Sequence, residues 1–130
     1  MKKISPPPAA KLVGYLIKEV EHGSAVFELH PGEQHYNPFA TVHGGIISTL
    51  LDSTMVAAVL TTLPQNSSCS TVEIKVNFIK PVSAENKLVR CEAKVIHIGQ
   101  KLAIVEGRVR DENDELCTYG VSTCMIFKVG

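Results

Sequence analysis

Residues 42 to 61, VHGGIISTLLDSTMVAAVLT, constrain the fold more than any other part of the chain. Ile46, Ile47, Leu50, Leu51 and Met55 recur at helical spacing, and Ala57, Ala58, Val59 and Leu60 continue the pattern. No proline interrupts until Pro64, which suits a helix end or the loop just beyond it. A helix apolar on most of its sides must be covered by other structure rather than lie half in water. The remaining sequence has to supply that cover.

Everything after Pro64 reads as strand. Val72, Ile74, Val76 and Phe78 alternate with Glu73, Lys75 and Asn77, and Pro81 closes the run. Strands over 88 to 98, 102 to 109 and 116 to 129 follow, separated by turns at Gly99-Gln100 and at residues 111 to 114. Successive long strands with short connections predict an antiparallel meander. Ahead of the helix, residues 11 to 29 favour strand, with a turn at Glu21 to Ser24, and residues 30 to 41 form a loop rich in turn residues. Residues 1 to 10 are expected to be an extended lead-in stiffened by three prolines, and 11 to 130 a single domain. One buried helix and about five or six strands make an α+β fold, a curved antiparallel sheet closed on one face by the helix.

Composition excludes several classes of function. With 45% apolar and 20% charged residues over 130 positions, the chain is an ordinary globular domain and not a disordered one. The formal net charge is zero and no Lys/Arg run occurs, so nucleic-acid binding has no electrostatic footprint. A near-neutral surface permits self-association. Cys69, Cys91, Cys117 and Cys124 form no Cys-x-x-Cys pair, and no histidine stands at zinc-finger spacing. Free thiols in a reduced compartment, with no metal and no cofactor, are expected. MKKISPPPAA has no apolar stretch after its lysines, and no run approaches the ~18 apolar residues of a membrane span, so the expectation is a cytoplasmic chain with no membrane partner.

The chemistry concentrates at the helix. Gly44 and Gly45 fall in its first turn, where backbone N–H groups lack intrahelical partners and the dipole is positive. Without a Cβ the backbone there is open to close approach, so Val42-His43-Gly44-Gly45 can cradle an oxyanion or a phosphate; a loop-to-helix turn with glycines for packing fits equally. Asp52 lies nine residues after His43 among Leu50, Leu51, Met55 and Val56. A carboxylate there is either catalytic, its pKa set by burial and neighbours, or part of a modest polar strip with Ser48 and Ser53. Asn37, before Pro38, either starts a turn or holds a water with its amide.

Asn-Pro-x-x-x-x-His-Gly-Gly, followed by Leu50 and Asp52, resembles the hotdog-fold acyl-CoA thioesterases of the phenylacetic-acid-degradation type, the 4-hydroxybenzoyl-CoA thioesterase superfamily. The run from Thr71 to Pro81 is similar to that family's strand ending in proline, and Gly99-Gln100-Lys101 resembles its next hairpin. The likeness covers about residues 12 to 128 and departs at Ala40, where the family commonly has glycine. It implies a sheet wrapped around one long central helix, and a homodimer or dimer of dimers joined edge to edge with each site at the interface. It further implies that Gly44 N–H polarises a thioester carbonyl of an acyl-CoA. Asp52 of a second copy acts as base or nucleophile, Asn37 positions water or thioester, and His43 supports the loop. Thr71 or the adjacent Ser70 faces the site, and Gly45, Gly99 and Lys101 meet the substrate. Lys101, Arg90 and Lys94 either reach the phosphates of CoA or form a solvated strand face. The competing activities are a dehydratase or hydratase acting on similar thioesters and a non-catalytic acyl-CoA binding protein. His22, His30, His35 and His97 are expected at the surface or in turns.

Overall fold

The computed structural model describes residues 2 to 130. In chain order the elements are α1 (Pro8–Val13), β1 (Leu16–Glu21), β2 (Ser24–Leu29), a 3-10 turn (Glu33–His35), α2 (Gly44–Leu60), β3 (Ser67–Phe78), β4 (Val89–Ile98), β5 (Leu102–Asp111) and β6 (Leu116–Lys128). The six strands form one sheet in the order β1-β2-β4-β5-β6-β3, antiparallel at every pairing. This is the hotdog arrangement, a curved sheet around a central helix. Helix α2 lies in the concave face and buries Ile47, Leu50, Leu51, Thr54, Met55, Ala57, Ala58 and Val59.

The helix can approach the sheet closely because two glycines clear a notch for it. Gly107 of β5 and Gly120 of β6 are direct cross-strand partners. A Cβ on Gly107 would stand 2.7 Å from Leu51 Cδ1, and one on Gly120 2.4 Å from Leu51 Cδ2. Leu51 is fully buried in that notch. Full burial of a leucine contributes about 1.5–3 kcal/mol.

The structure corrects the sequence reading in two places and refines it in a third. Residues 11 to 13, expected as strand, close helix α1, which takes up the end of the expected lead-in. Pro8 stands in the first turn, where its missing N–H costs nothing, and Gly14 ends the helix at φ 94. Ala10 joins the core. In β3 the alternation is not strict: the register shifts between Thr71 and Glu73, and Val72 is 54% exposed. This β-bulge puts Val72 and Glu73 on the outer side together. Residues 67, 69 and 71 therefore face the helix before it, and Ile74 and Val76 after it. His35, expected at the surface or in a turn, sits in a turn but is buried at 2% exposure. Its Nδ1 accepts Gly32 N–H (3.0 Å), its Nε2 donates to the Val13 carbonyl (2.6 Å), and its own carbonyl accepts His43 N–H (2.8 Å). That ring ties α1 to the loop leading into α2. All four cysteines are free and buried.

The notch predicts strong coupling. Gly120→Ala should destabilise by about 1–3 kcal/mol through overpacking, and Leu51→Ala by about 2–5 kcal/mol through a cavity. Together they should lose clearly less than the sum, since the added methyl enters the space the leucine leaves. Urea unfolding of the two single variants and the double variant measures this; additive losses would disprove the notch.

Candidate active site

His43 is the N-cap of α2, and its ring Nδ1 accepts the Gly45 N–H at 2.8 Å. The N–H groups of Ile46 and Ile47 both reach the His43 carbonyl. Gly44 N–H alone in this first turn has no acceptor among the described residues. Each glycine has its own steric reason. A Cβ on Gly45 would stand 3.0 Å from the capping His43 Nδ1, and one on Gly44 3.1 Å from Phe78 Cζ. The Phe78 ring therefore lies against the free N–H end of the helix while remaining 57% exposed.

The loop before the helix is organised by Asn37. Its Oδ1 accepts the N–H groups of Phe39 (2.9 Å) and Thr41 (3.2 Å), and its Nδ2 donates to Thr41 Oγ1 (2.7 Å). Both ends of the amide are thus engaged in shaping its own loop. Ala40 takes φ 61, the left-handed conformation that glycine adopts without strain, so the loop keeps that conformation with alanine in place.

Asp52 lies two turns further along α2 and is half-buried. Thr71 Oγ1 donates to Asp52 Oδ1 at 2.7 Å. Ser70, the neighbour that the sequence left open beside Thr71, is exposed and points to the opposite face of β3, because side chains alternate along a strand. Cys69 and Cys124, also facing inward, lie beneath this pair. The Cys69 thiol is held well above its usual pKa by its hydrogen bond with Cys124 and by burial. Leu102, Met125 and Ser70 form one row across the sheet, which puts the Gly99–Lys101 hairpin at the Thr71 end of β3. There Gly99 N–H bonds the Leu102 carbonyl, and the exposed Lys101 uses its carbonyl to accept Ile126 N–H. Arg90 meets Glu92 and Asp114 at 3.5 and 3.4 Å.

The other end of β3 is anchored by charge. Lys80 Nζ donates to Asp111 Oδ2 at 2.9 Å and to Glu115. Asp111, buried, also accepts the N–H groups of Asn113 and Glu115. Lys80 chiefly, then those two amides, hold its carboxyl below the usual value of 3.8. Both carboxylates push the Lys80 ammonium up, Glu115 first. This anchor fixes the chain just after Phe78.

Two half-sites result. Gly44, His43 and Phe78 stand at one end of β3, Asp52 and Thr71 at the other. Gly44 and Asp52 are eight residues apart on one helix, about 12 Å along its axis. Phe78 and the bulge that sets the phase around Thr71 were not legible as site features. An aromatic closing an alternating run looks like any core strand residue, and an extra residue in a strand has no compositional mark.

The thioesterase superfamily model matches residues 39 to 118. The chain belongs to the thioesterase superfamily. It is similar to the 1,4-dihydroxy-2-naphthoyl-CoA hydrolase of Listeria monocytogenes, 29% identical over 114 residues that cover 88% of this chain and 89% of that one. Among solved structures, a conserved Pseudomonas aeruginosa protein superposes with TM-score 0.88 at 30% identity, covering 94% of this chain and 95% of that one. A phenylacetic acid degradation-related protein of Ralstonia eutropha does so with TM-score 0.84 at 29% identity, covering 93% and 92%. As a member of this superfamily the chain is a thioester hydrolase. Among the described residues no helix is long and apolar enough to cross a membrane.

Two predictions follow from the loops that hold this candidate site. The depressed Asp111 pKa makes its contribution to stability whole above about pH 4 and progressively lost as the pH falls below that. Asp111→Asn should weaken the fold at pH 7, and the gap from wild type should shrink in urea titrations at pH 3. Ala40→Gly should raise stability by up to about 1 kcal/mol, because it relieves a left-handed alanine; thermal unfolding measures it.

Proposed function

We propose that this thioesterase hydrolyses acyl-CoA thioesters, water and acyl-CoA giving a carboxylic acid and free CoA, in a site shared by two copies of the chain. The separation of Gly44 from Asp52 carries the reading. A carbonyl hydrogen-bonded to Gly44 N–H lies far beyond the reach of the same chain's Asp52, so a complete site needs the carboxylate of a second copy. One edge of the sheet, the one formed by β3, supplies the means. β3 is a 12-residue edge strand with Gly44 near one end and Asp52 near the other. Antiparallel pairing of β3 with its copy, about a two-fold axis near Lys75, runs the Thr71 end of one strand along the Phe78 end of the other. Such a homodimer, alone or doubled into a tetramer, contains two whole sites.

In each site the thioester carbonyl accepts the Gly44 N–H, which is unspent and lies at the positive end of the helix dipole. Phe78 keeps water from that hydrogen bond. His43 holds the first turn and Asn37 the preceding loop. Asp52, oriented by Thr71, leaves its second oxygen free to take a proton from water or to attack the carbonyl carbon. Label found in Asp52 after a single turnover in labelled water establishes the covalent route, since only an anhydride opened by water at the Asp52 carboxyl carbon places it there. The Listeria relative, named for an acyl-CoA substrate, supports CoA as the thiol side. Gly99 and Lys101, at the Asp52 end of the sheet, are the candidates on this chain for contact with the CoA portion.

Asp52→Asn should lower turnover by about a hundredfold or more with little change in KM. Asp52→Asn and Gly44→Val homodimers should both be nearly inactive. A co-refolded equal mixture should recover roughly a quarter of wild-type activity, because half of the dimers then hold one site free of both lesions. Confirmed mixed dimers without recovery would place both residues in one chain's site.

A further inference from the structure

β1 and β3 are the two edges of the sheet. Helix α1 leads directly into β1, and Ser67 opens β3. Residues 2 to 7 run from α1 to that second edge, a span that six extended residues cover up to about 20 Å. Lys2 Nζ donates to the Ser67 carbonyl, Ile4 packs against the core, and the Pro7 carbonyl accepts Ala10 N–H at 2.9 Å in the first turn of α1. On the way the segment crosses one stripe of α2. Ile4, Ser5 and Pro7 line a cavity of about 290 Å³ together with Asp52, Ser53 and Val56 of the helix, and Asp52 is its only charged member. Lys2 and Asp52 both act on the Cys69 thiol, in opposite senses, so the end of the segment lies in the neighbourhood of the carboxylate.

The segment is lightly held. Among the described residues, residues 2 to 6 make no backbone–backbone hydrogen bond. One ammonium on one carbonyl and one half-buried isoleucine anchor it. Its foot is firm by contrast: Ala10 is in the core, and His35 Nε2 donates to the Val13 carbonyl at 2.6 Å. Pro6, Pro7 and Pro8 restrict the backbone between, so the segment moves as one piece about the start of α1. A stretch with few buried contacts and no ladder of backbone bonds opens at little cost.

We propose that residues 2 to 7 form a strap that gates the Asp52 cavity, with Lys2 as its latch, Ile4 as its plug and the start of α1 as its hinge. This rests on the thioesterase reading of Asp52. Latched, the strap shuts the cavity on the Ile4 side and keeps bulk water from the carboxylate. Lifted, it lets the thioester reach the carboxylate and the acid leave. Closure of this kind shields a reacting group and commits the substrate.

The test has two arms. In the first, Ser53→Cys places a thiol on the cavity wall, and its labelling by a bulky maleimide reads the opening without any turnover; the four native cysteines are buried. Labelling should be about tenfold faster or more when Ile4→Ser is added or residues 2 to 5 are removed, with Lys2→Met in between. Equal rates in all these chains would overturn the strap and leave the hydrolase reading standing. In the second arm, Ile4→Cys and Ser53→Cys are joined by a short reducible bis-thiosulfonate and assayed on acetyl-CoA, hexanoyl-CoA and benzoyl-CoA. Tied, the enzyme should lose about tenfold or more in kcat/KM and regain it on reduction. The one-armed reagent, which fills the same space without tying, should cost far less. An unchanged rate in the tied enzyme, or an equal loss with the one-armed reagent, would overturn the gate. If wild type hydrolyses none of the three while the labelling rates differ as expected, the strap stands and the hydrolase reading of Asp52 falls.

Discussion

The seating of Leu51 between Gly107 and Gly120 sets the distance between helix and sheet, and the site depends on that distance. Two side chains are removed from adjacent strands so that one leucine can descend to the backbone. The next residue along the helix is Asp52. A helix held further out would carry its carboxylate away from Thr71, and the 2.7 Å bond between them requires the close approach. The core contact of Leu51 and the Asp52–Thr71 contact thus stand one residue apart on the same turn of α2.

The helix and the long strands were legible because each carries its own period, and a fully apolar helix among alternating strands leaves few architectures open. The misreadings share a cause: each depended on something other than period. Helix α1 is decided by a proline at its start and a glycine just past its end. The outward turn of Val72 comes from a bulge, which shifts phase without any change in residue type. His35 is buried because a carbonyl from α1 and an amide from its own loop meet its two ring nitrogens, contacts no local pattern announces.

The candidate site was legible to a similar depth. Gly44, His43 and Asp52 stood out because glycines at a helix start and a carboxylate among apolar residues conflict with local preference, and such conflicts mark function. Thr71 and Ser70 could not be separated from sequence alone, since adjacent strand residues face opposite ways and only the sheet shows which way is in. Phe78 was silent, being an aromatic in strand-like surroundings whose meaning lies in what stands opposite it. Asn37 stood out for its place before a proline, and the structure engages its amide in the loop.

The bulge at Val72 has a mechanical consequence. It divides β3 into a segment that presents Thr71 to Asp52 and a segment that leads to Phe78 over Gly44, the two joined by a residue outside the regular pairing. An inserted or deleted residue at that joint would be absorbed there instead of inverting every side chain downstream. The segment that faces Asp52 and the segment that reaches Gly44 are therefore parts of one strand yet decoupled in phase. Either segment can drift in length or sequence without dragging the other out of alignment.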